Sequence, residues 1–166
     1  MTVFFGVPND PAAGQPASAF TATKAFIEQF LDPFVDLLAW GILERHPKMR
    51  LVMAESGLGW LPWVVQHLDY RHCRLWDQHG GIAQMMKPRE LFRRQIYTTF
   101  QEDQVAMSLL PFFGDGHVMW ASDYPHPDST WPNSRETIER QMKSLSAEMR
   151  RKLTHDNAAQ LYGLSF

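Results

Sequence analysis

An α/β fold of parallel strands alternating with helices is predicted by three observations. Short apolar segments rich in strand-forming residues, Val3–Phe5, Arg50–Ala54, Ile96–Phe100 and Val118–Ala121, are separated by longer stretches with helical spacing. No repeat, low-complexity tract or linker interrupts this alternation, so residues 1–166 read as a single domain, or part of one. Hydrophobic residues make up 45% of the chain, with six Trp and eleven Phe, which is enough apolar surface for a core and excludes disorder as the main state.

In chain order, residues 1–7 read as a short buried strand ended by Gly6, and Asn9-Asp10-Pro11 with the 14–18 stretch as a loop. Ala19 to Leu31 has helical spacing. Asp32-Pro33 reads as the cap and first position of a second helix, Phe34 to Glu44, which stops before His46-Pro47 because a residue preceding proline avoids helical angles. The strand Arg50–Ala54 runs into Glu55-Ser56-Gly57-Leu58-Gly59, and a long helix follows from Trp60 to Gln78. A short helix over Pro88–Arg94 leads to the strand Ile96–Phe100, and a helix over Asp103–Leu110 is stopped by Pro111. After the strand Val118–Ala121 comes a loop rich in Asp, His and Pro. Asn133 with Glu136 forms a capping-box pattern for a helix to Leu145, Ser146 caps another, and Thr154–Tyr162 forms the last before Gly163.

The formal net charge is −2, so there is no basic excess to recruit nucleic acid or an anionic membrane. One cysteine, Cys73, allows no internal disulfide and no thiolate cluster within one chain. No apolar stretch reaches the ~18 residues of a membrane span, and MTVFFGVPND lacks the features of a signal peptide, so a cytoplasmic location is expected.

In parallel α/β folds, functional residues gather where strands hand over to helices. Three junctions qualify. In WASDYPHPD, Asp123 at a strand end, His126 three residues on and then Asp128 offer metal-ligand chemistry in a small space. The alternative is that Ser122 and Asp123 cap a turn and His126 is a surface loop residue. In AESGLGW, Glu55 is a charge at a strand end beside glycines that let the backbone approach a ligand; otherwise it favours the positive N-terminus of the next helix. Gly6 with Asn9-Asp10 reads as an ordinary turn more readily than as a pocket wall. His67, His72 and His79 lack the i, i+4 spacing of a helical metal pair and read as surface or interface residues, as do His46, His117 and His155 at element ends. Cys73 lies mid-helix with no base nearby in sequence, and Met85-Met86 reads as core or interface.

Three stretches carry a resemblance. ILERHPKMRLVMAESGLGWLPWVVQHLDY, ending at Tyr70, resembles the strand-six segment of the amidohydrolase superfamily, in the amidohydrolase 2 branch that contains aminocarboxymuconate-semialdehyde decarboxylase. VMWASDYPHPDSTWPNSRETI resembles the strand-eight segment of that branch, and KLTHDNAAQLYGL its C-terminal helix. The resemblance implies a (β/α)8 barrel with a divalent metal, usually zinc, at the strands' C-terminal face. It implies hydrolysis or non-oxidative decarboxylation of a small organic substrate. Asp123 matches the strand-eight aspartate that binds or adjoins the metal and handles the proton, and His126 the histidine of the following loop. Glu55 falls where many relatives have histidine; with Trp60 and Tyr124 it completes the expected substrate contacts. A (β/α)8 barrel takes ~250 residues, and this chain has 166. The strand-one His-X-His pair is absent, and Phe4-Phe5-Gly6 stands where a strand-five metal histidine is expected. The expectation is therefore about strands five to eight, the C-terminal half of a barrel, with Asp123 as the remaining metal ligand. As an alternative, the half-barrel is non-catalytic and acts by self-association or by pairing with a separate N-terminal half.

Overall fold

Four short parallel strands form one sheet in the computed structural model, which describes residues 2–3, 18–79 and 86–165. The strands are β1 (Thr2–Val3), β2 (Leu51–Met53), β3 (Ile96–Phe100) and β4 (Val118–Trp120), and they lie side by side in chain order. Register pairs Thr2 with Val52, Val52 with Tyr97, and Phe100 with Trp120. A sequential order with no reversal is the order of a barrel arc; a doubly wound sheet reverses at a switch point. The expected α/β class, as part of a TIM-type barrel, therefore holds. The expected pocket residues Gly6, Asn9 and Asp10, and Phe4-Phe5, lie outside the described residues, as do Met85 and the side chain of Cys73.

Helices fill the connections: α1 (Ser18–Ala39), α2 (Ile42–Arg45), α3 (Leu61–His79), α4 (Pro88–Gln95), α5 (Gln104–Phe113), α6 (Ser134–Gln141), α7 (Ala147–Arg151) and α8 (Asn157–Tyr162), with a π-helical turn Lys152–Asp156 joining the last two. Their apolar faces form one core with the sheet. Phe30, Phe34 and Leu38, four residues apart on α1, meet Leu61 and Val65 of α3, Leu91 and Phe92 of α4, Phe113 of α5 and the sheet residues Leu51, Met53, Ile96, Phe100 and Val118. Along β3, Ile96, Thr98 and Phe100 are buried while Tyr97 and Thr99 are half-buried, the period-2 pattern of a strand.

Several expected boundaries move, each for a packing reason. Asp32-Pro33 does not start a helix: α1 runs through Pro33, because burying Phe30, Phe34 and Leu38 on one continuous face outweighs the one lost N–H. The chain breaks at Gly41 instead, whose φ of 61° is left-handed. Pro111 likewise does not end α5, which continues to the fully buried Phe113 and stops at Gly114, φ 84°. The capping box expected at Asn133 is not formed: its side chain caps nothing, and Ser134 Oγ pairs with Thr130 Oγ1 at 3.0 Å. That helix ends at Gln141 rather than Leu145, where Met142 turns fully into the core. Ser146 does cap α7, accepting from the Met149 N–H at 3.1 Å. The two expected terminal helices are one path through the π turn, ending at Gly163 (φ 67°). Asn157, nearly fully buried, donates from Nδ2 to the carbonyls of Asp115 and Val118 at 2.6 and 2.7 Å, tying α8 to the start of β4. No helix among the described residues is long and apolar enough to cross a membrane.

Candidate active site

The C-terminal ends of β2 and β4 deliver two carboxylates to one place. Glu55 follows β2 by two residues and Asp123 follows β4 by three. Both have a φ of 59°, and among the described residues they are the two non-glycine positions in the left-handed region. Such a conformation costs about 1–2 kcal/mol and persists where surrounding contacts over-determine it, as at functional sites.

Glu55 is fixed from outside its own loop. Its N–H donates to Thr99 Oγ1 on β3 at 2.6 Å. The next residue, buried Ser56, shares a 2.9 Å hydroxyl pair with Thr98 of β3. Asp103, the N-cap of α5, accepts from the N–H groups of Leu58 and Gly59 with Oδ2, both at 2.8 Å, and from Ala106 N–H with Oδ1 at 2.9 Å. Asp123 sits on a loop that closes on itself. Its carbonyl accepts from the His126 N–H at 2.8 Å, and Ser122 O accepts from both Thr130 N–H (3.1 Å) and Ser129 Oγ (2.7 Å). The Tyr124-Pro125 and Trp131-Pro132 bonds are cis.

The electrostatics follow from this placement. The Glu55 carboxyl is raised from 4.5 to about 7, first by sharing a hydrogen bond with the Asp123 carboxyl, then by partial burial and by the Asp123 charge. His126 Nδ1 meets Asp128 Oδ1 at 2.5 Å and Asp123 Oδ2 at 3.5 Å. The Asp128 hydrogen bond holds the imidazole protonated to higher pH than usual, and the same bond pulls Asp128 below the ordinary carboxylate range. Asp123 is the inner member, with its side chain 11% exposed, against 62% for His126 and 75% for Asp128.

This donor set fits a divalent cation. One ligand atom from each of Asp123, His126 and Asp128 falls within 4.8 Å of the others. Glu55 lies beside Asp123, whose carboxyl and charge hold its own carboxyl above the usual carboxylate range. Carboxylate and imidazole ligands suit zinc and manganese alike.

The geometry places Asp123, His126 and Asp128, the three residues singled out in WASDYPHPD, in one cluster, with Glu55 beside Asp123. Trp60 gives its indole N–H to Ser56 O at 2.8 Å and packs edge-on against Phe34, 6.0 Å between centroids. Tyr124 is exposed, its ring 5.4 Å from that of Trp131. Other histidines have structural partners: His67 stacks on Trp63, His117 bonds Ile96 O while stacking on Tyr97, and His155 Nδ1 meets Asp156 Oδ1 at 2.8 Å. Sequence reasoning passed over Ser56, Thr98, Thr99 and the second role of Asp103. Their partners lie 42 to 45 residues away, a distance no local pattern encodes.

A family model described as Amidohydrolase matches residues 5–164. Gamma-resorcylate decarboxylase of Rhodococcus jostii (strain RHA1) is 25% identical over 145 residues, which cover 86% of this chain and 42% of that protein. Among solved structures, 5-carboxyvanillate decarboxylase of Sphingomonas paucimobilis superposes with a TM-score of 0.70 at 21% identity, covering 92% of this chain and 47% of that one. A dihydroxybenzoic acid decarboxylase of Polaromonas sp. JS666, solved with bound manganese and the inhibitor 2-nitroresorcinol, gives 0.67 at 17% identity, covering 90% and 47%. These structural likenesses establish the fold. This chain spans less than half the length of each relative.

Proposed function

This chain belongs to the amidohydrolase family, and on that premise we propose that it carries part of the active site of a metal-dependent, non-oxidative decarboxylase acting on a small aromatic acid. The single observation that carries the reading is the pair of left-handed carboxylates, Glu55 and Asp123, presented at the C-terminal ends of β2 and β4 on one edge of the sheet. The decarboxylase names of the relatives support this reaction over hydrolysis.

In this reading Asp123 is the metal ligand, with His126 and Asp128 within reach. The ion is zinc on the family expectation, although manganese is named in three similar structures. When bound, a divalent ion supplies positive charge that orients and polarises an anionic substrate. The chain's own residues supply the proton. Loss of CO2 from an arenecarboxylate leaves an electron pair on the ring carbon that must receive one proton, which Asp123 is placed to hand on from Glu55. Glu55, its carboxyl raised to about 7, is the group that holds the proton towards neutral pH. Asp128 hydrogen-bonds the His126 imidazole and orients it, so that in its neutral form it would offer a ring nitrogen to the ion. Tyr124, beside Trp131, offers an aromatic surface at the rim, and Trp60 contributes through its ring, because its N–H is already given to Ser56.

The chain is proposed as one domain, cytoplasmic, that associates with a second copy or with a separate segment carrying the remaining strands. Supporting association, β1 and β4 each pair on one side only among the described residues. The test is divalent-metal content and molecular mass of the purified chain, with Asp123→Asn beside it, followed by CO2 release from 2,6-dihydroxybenzoate and 5-carboxyvanillate. Metal near one per chain that is lost in Asp123→Asn, with CO2 release from either acid, supports the reading. No metal in either protein at any mass sinks it.

A further inference from the structure

Resting on that reading of Glu55 and Asp123 as the facing pair, we propose that Asp103 is a positioning residue, whose carboxylate holds Glu55 against Asp123 by clamping the loop between β2 and α3. Its position after β3 explains only one of its three bonds. Oδ1 caps α5 through Ala106 N–H, an ordinary duty for an aspartate at this place. Oδ2 does something unrelated to that helix: it accepts from two successive N–H groups, Leu58 and Gly59, in the loop that begins at Glu55. A half-buried carboxylate accepting from two neighbouring amides fixes their direction as well as their place.

The loop is shaped to admit this carboxylate. Gly57 has a φ of 66°, and a Cβ on Gly59 would lie 3.3 Å from Asp103 Oδ1 and 3.6 Å from Val105 Cβ. With Thr99 on the Glu55 N–H and Thr98 on Ser56, the clamp gives the loop three anchors on the next strand and its following helix. Without the Asp103 anchor, residues 57–59 are free to turn, the strained φ at Glu55 relaxes to negative values, and its carboxyl leaves Asp123.

The experiment uses the isotope-labelled 166-residue chain as wild type, Asp103→Asn, Gly59→Ala and a control, Ser146→Ala, which removes a helix cap elsewhere. NMR reads Leu58 and Gly59 amide exchange and the Glu55 Cα and Cβ shifts, which report backbone conformation without any metal. Manganese titration reads binding separately. The expected result in Asp103→Asn is exchange at Leu58 and Gly59 faster by at least about tenfold. Glu55 shifts leave the left-handed range, and manganese affinity weakens by roughly tenfold. Gly59→Ala moves the same readings in the same direction, and Ser146→Ala moves none of them. Should Asp103→Asn fail to fold, Gly59→Ala decides. Unchanged Glu55 shifts in the folded variants overturn the inference. Wild-type protein that takes no manganese, while Glu55 still leaves its conformation in Asp103→Asn, upholds the clamp and sinks the metal reading instead.

Discussion

The two loops that present the carboxylates are built on opposite plans. The loop after β4 is a closed local unit: Ser122, Ser129 and Thr130 bond to one another across eight residues or fewer, and Asp123 rides on it. The loop after β2 has little of its own to hold it. Glu55, Ser56, Leu58 and Gly59 are anchored by Thr98, Thr99 and Asp103, all contributed by chain more than forty residues later. One carboxylate is therefore positioned by its own neighbours and the other by the adjoining βα unit. The pair comes together only when the sheet register between β2 and β3 is correct.

The strongest way to break this contrast is Asp103→Ala. It removes two charge-assisted bonds to the borrowed loop and one helix cap at a half-buried place, and the expected cost is about 2–4 kcal/mol in urea unfolding. The matching change in the self-contained loop is Ser129→Ala, which removes the bond to Ser122 O and the one accepted from Trp131 N–H. Because other local bonds remain and water reaches the loop, the expected loss is about 1 kcal/mol or less by the same measurement. A loss from Ser129→Ala as large as that from Asp103→Ala would erase the distinction between the two loops.

A change in pH sharpens the comparison from the electrostatic side. In the metal-free chain Glu55 keeps its proton up to about pH 7, whereas an unfolded glutamate releases it near 4.5. Between those values the folded state binds one more proton than the unfolded state, so stability falls as pH rises through the window. Glu55→Gln is expected to flatten that slope, read as thermal midpoints from pH 4.5 to 7.5. An unchanged slope would mean that Glu55 and Asp123 do not share a proton.

The same contrast decides what was legible in the sequence. The Asp123–His126–Asp128 group could be read from spacing because its members bond within one short loop. The strand Ile96–Phe100 was legible for the same reason, its alternation being a local property. Glu55 was visible as a charge at a strand end, but its partners Thr98, Thr99 and Asp103 were not, since only the fold brings them within bonding distance. Proline misled in two places. At Pro33 and Pro111 local preference argued for a helix boundary, and the burial of Phe34 and Phe113 overrode it. Asn133 misled in the other direction: its capping pattern is present and unused, because Thr130 engages Ser134 instead.

Asn157 has a consequence of a kinetic kind. One buried amide group ties down two carbonyls at the entrance to β4, 42 and 39 residues upstream of it. The entropy of closing that span is spent once for both bonds, and neither helix nor strand can form them locally. Until the C-terminal helix docks, the start of β4 has two carbonyls without their final partner, so the strand, already paired to β3 on one side, gains this second fastening only when its distant neighbour arrives. Contacts of such separation set the pace of folding more than they set its end point. The tempo at which the Asp123 loop acquires its stable base is thus governed from the far end of the chain.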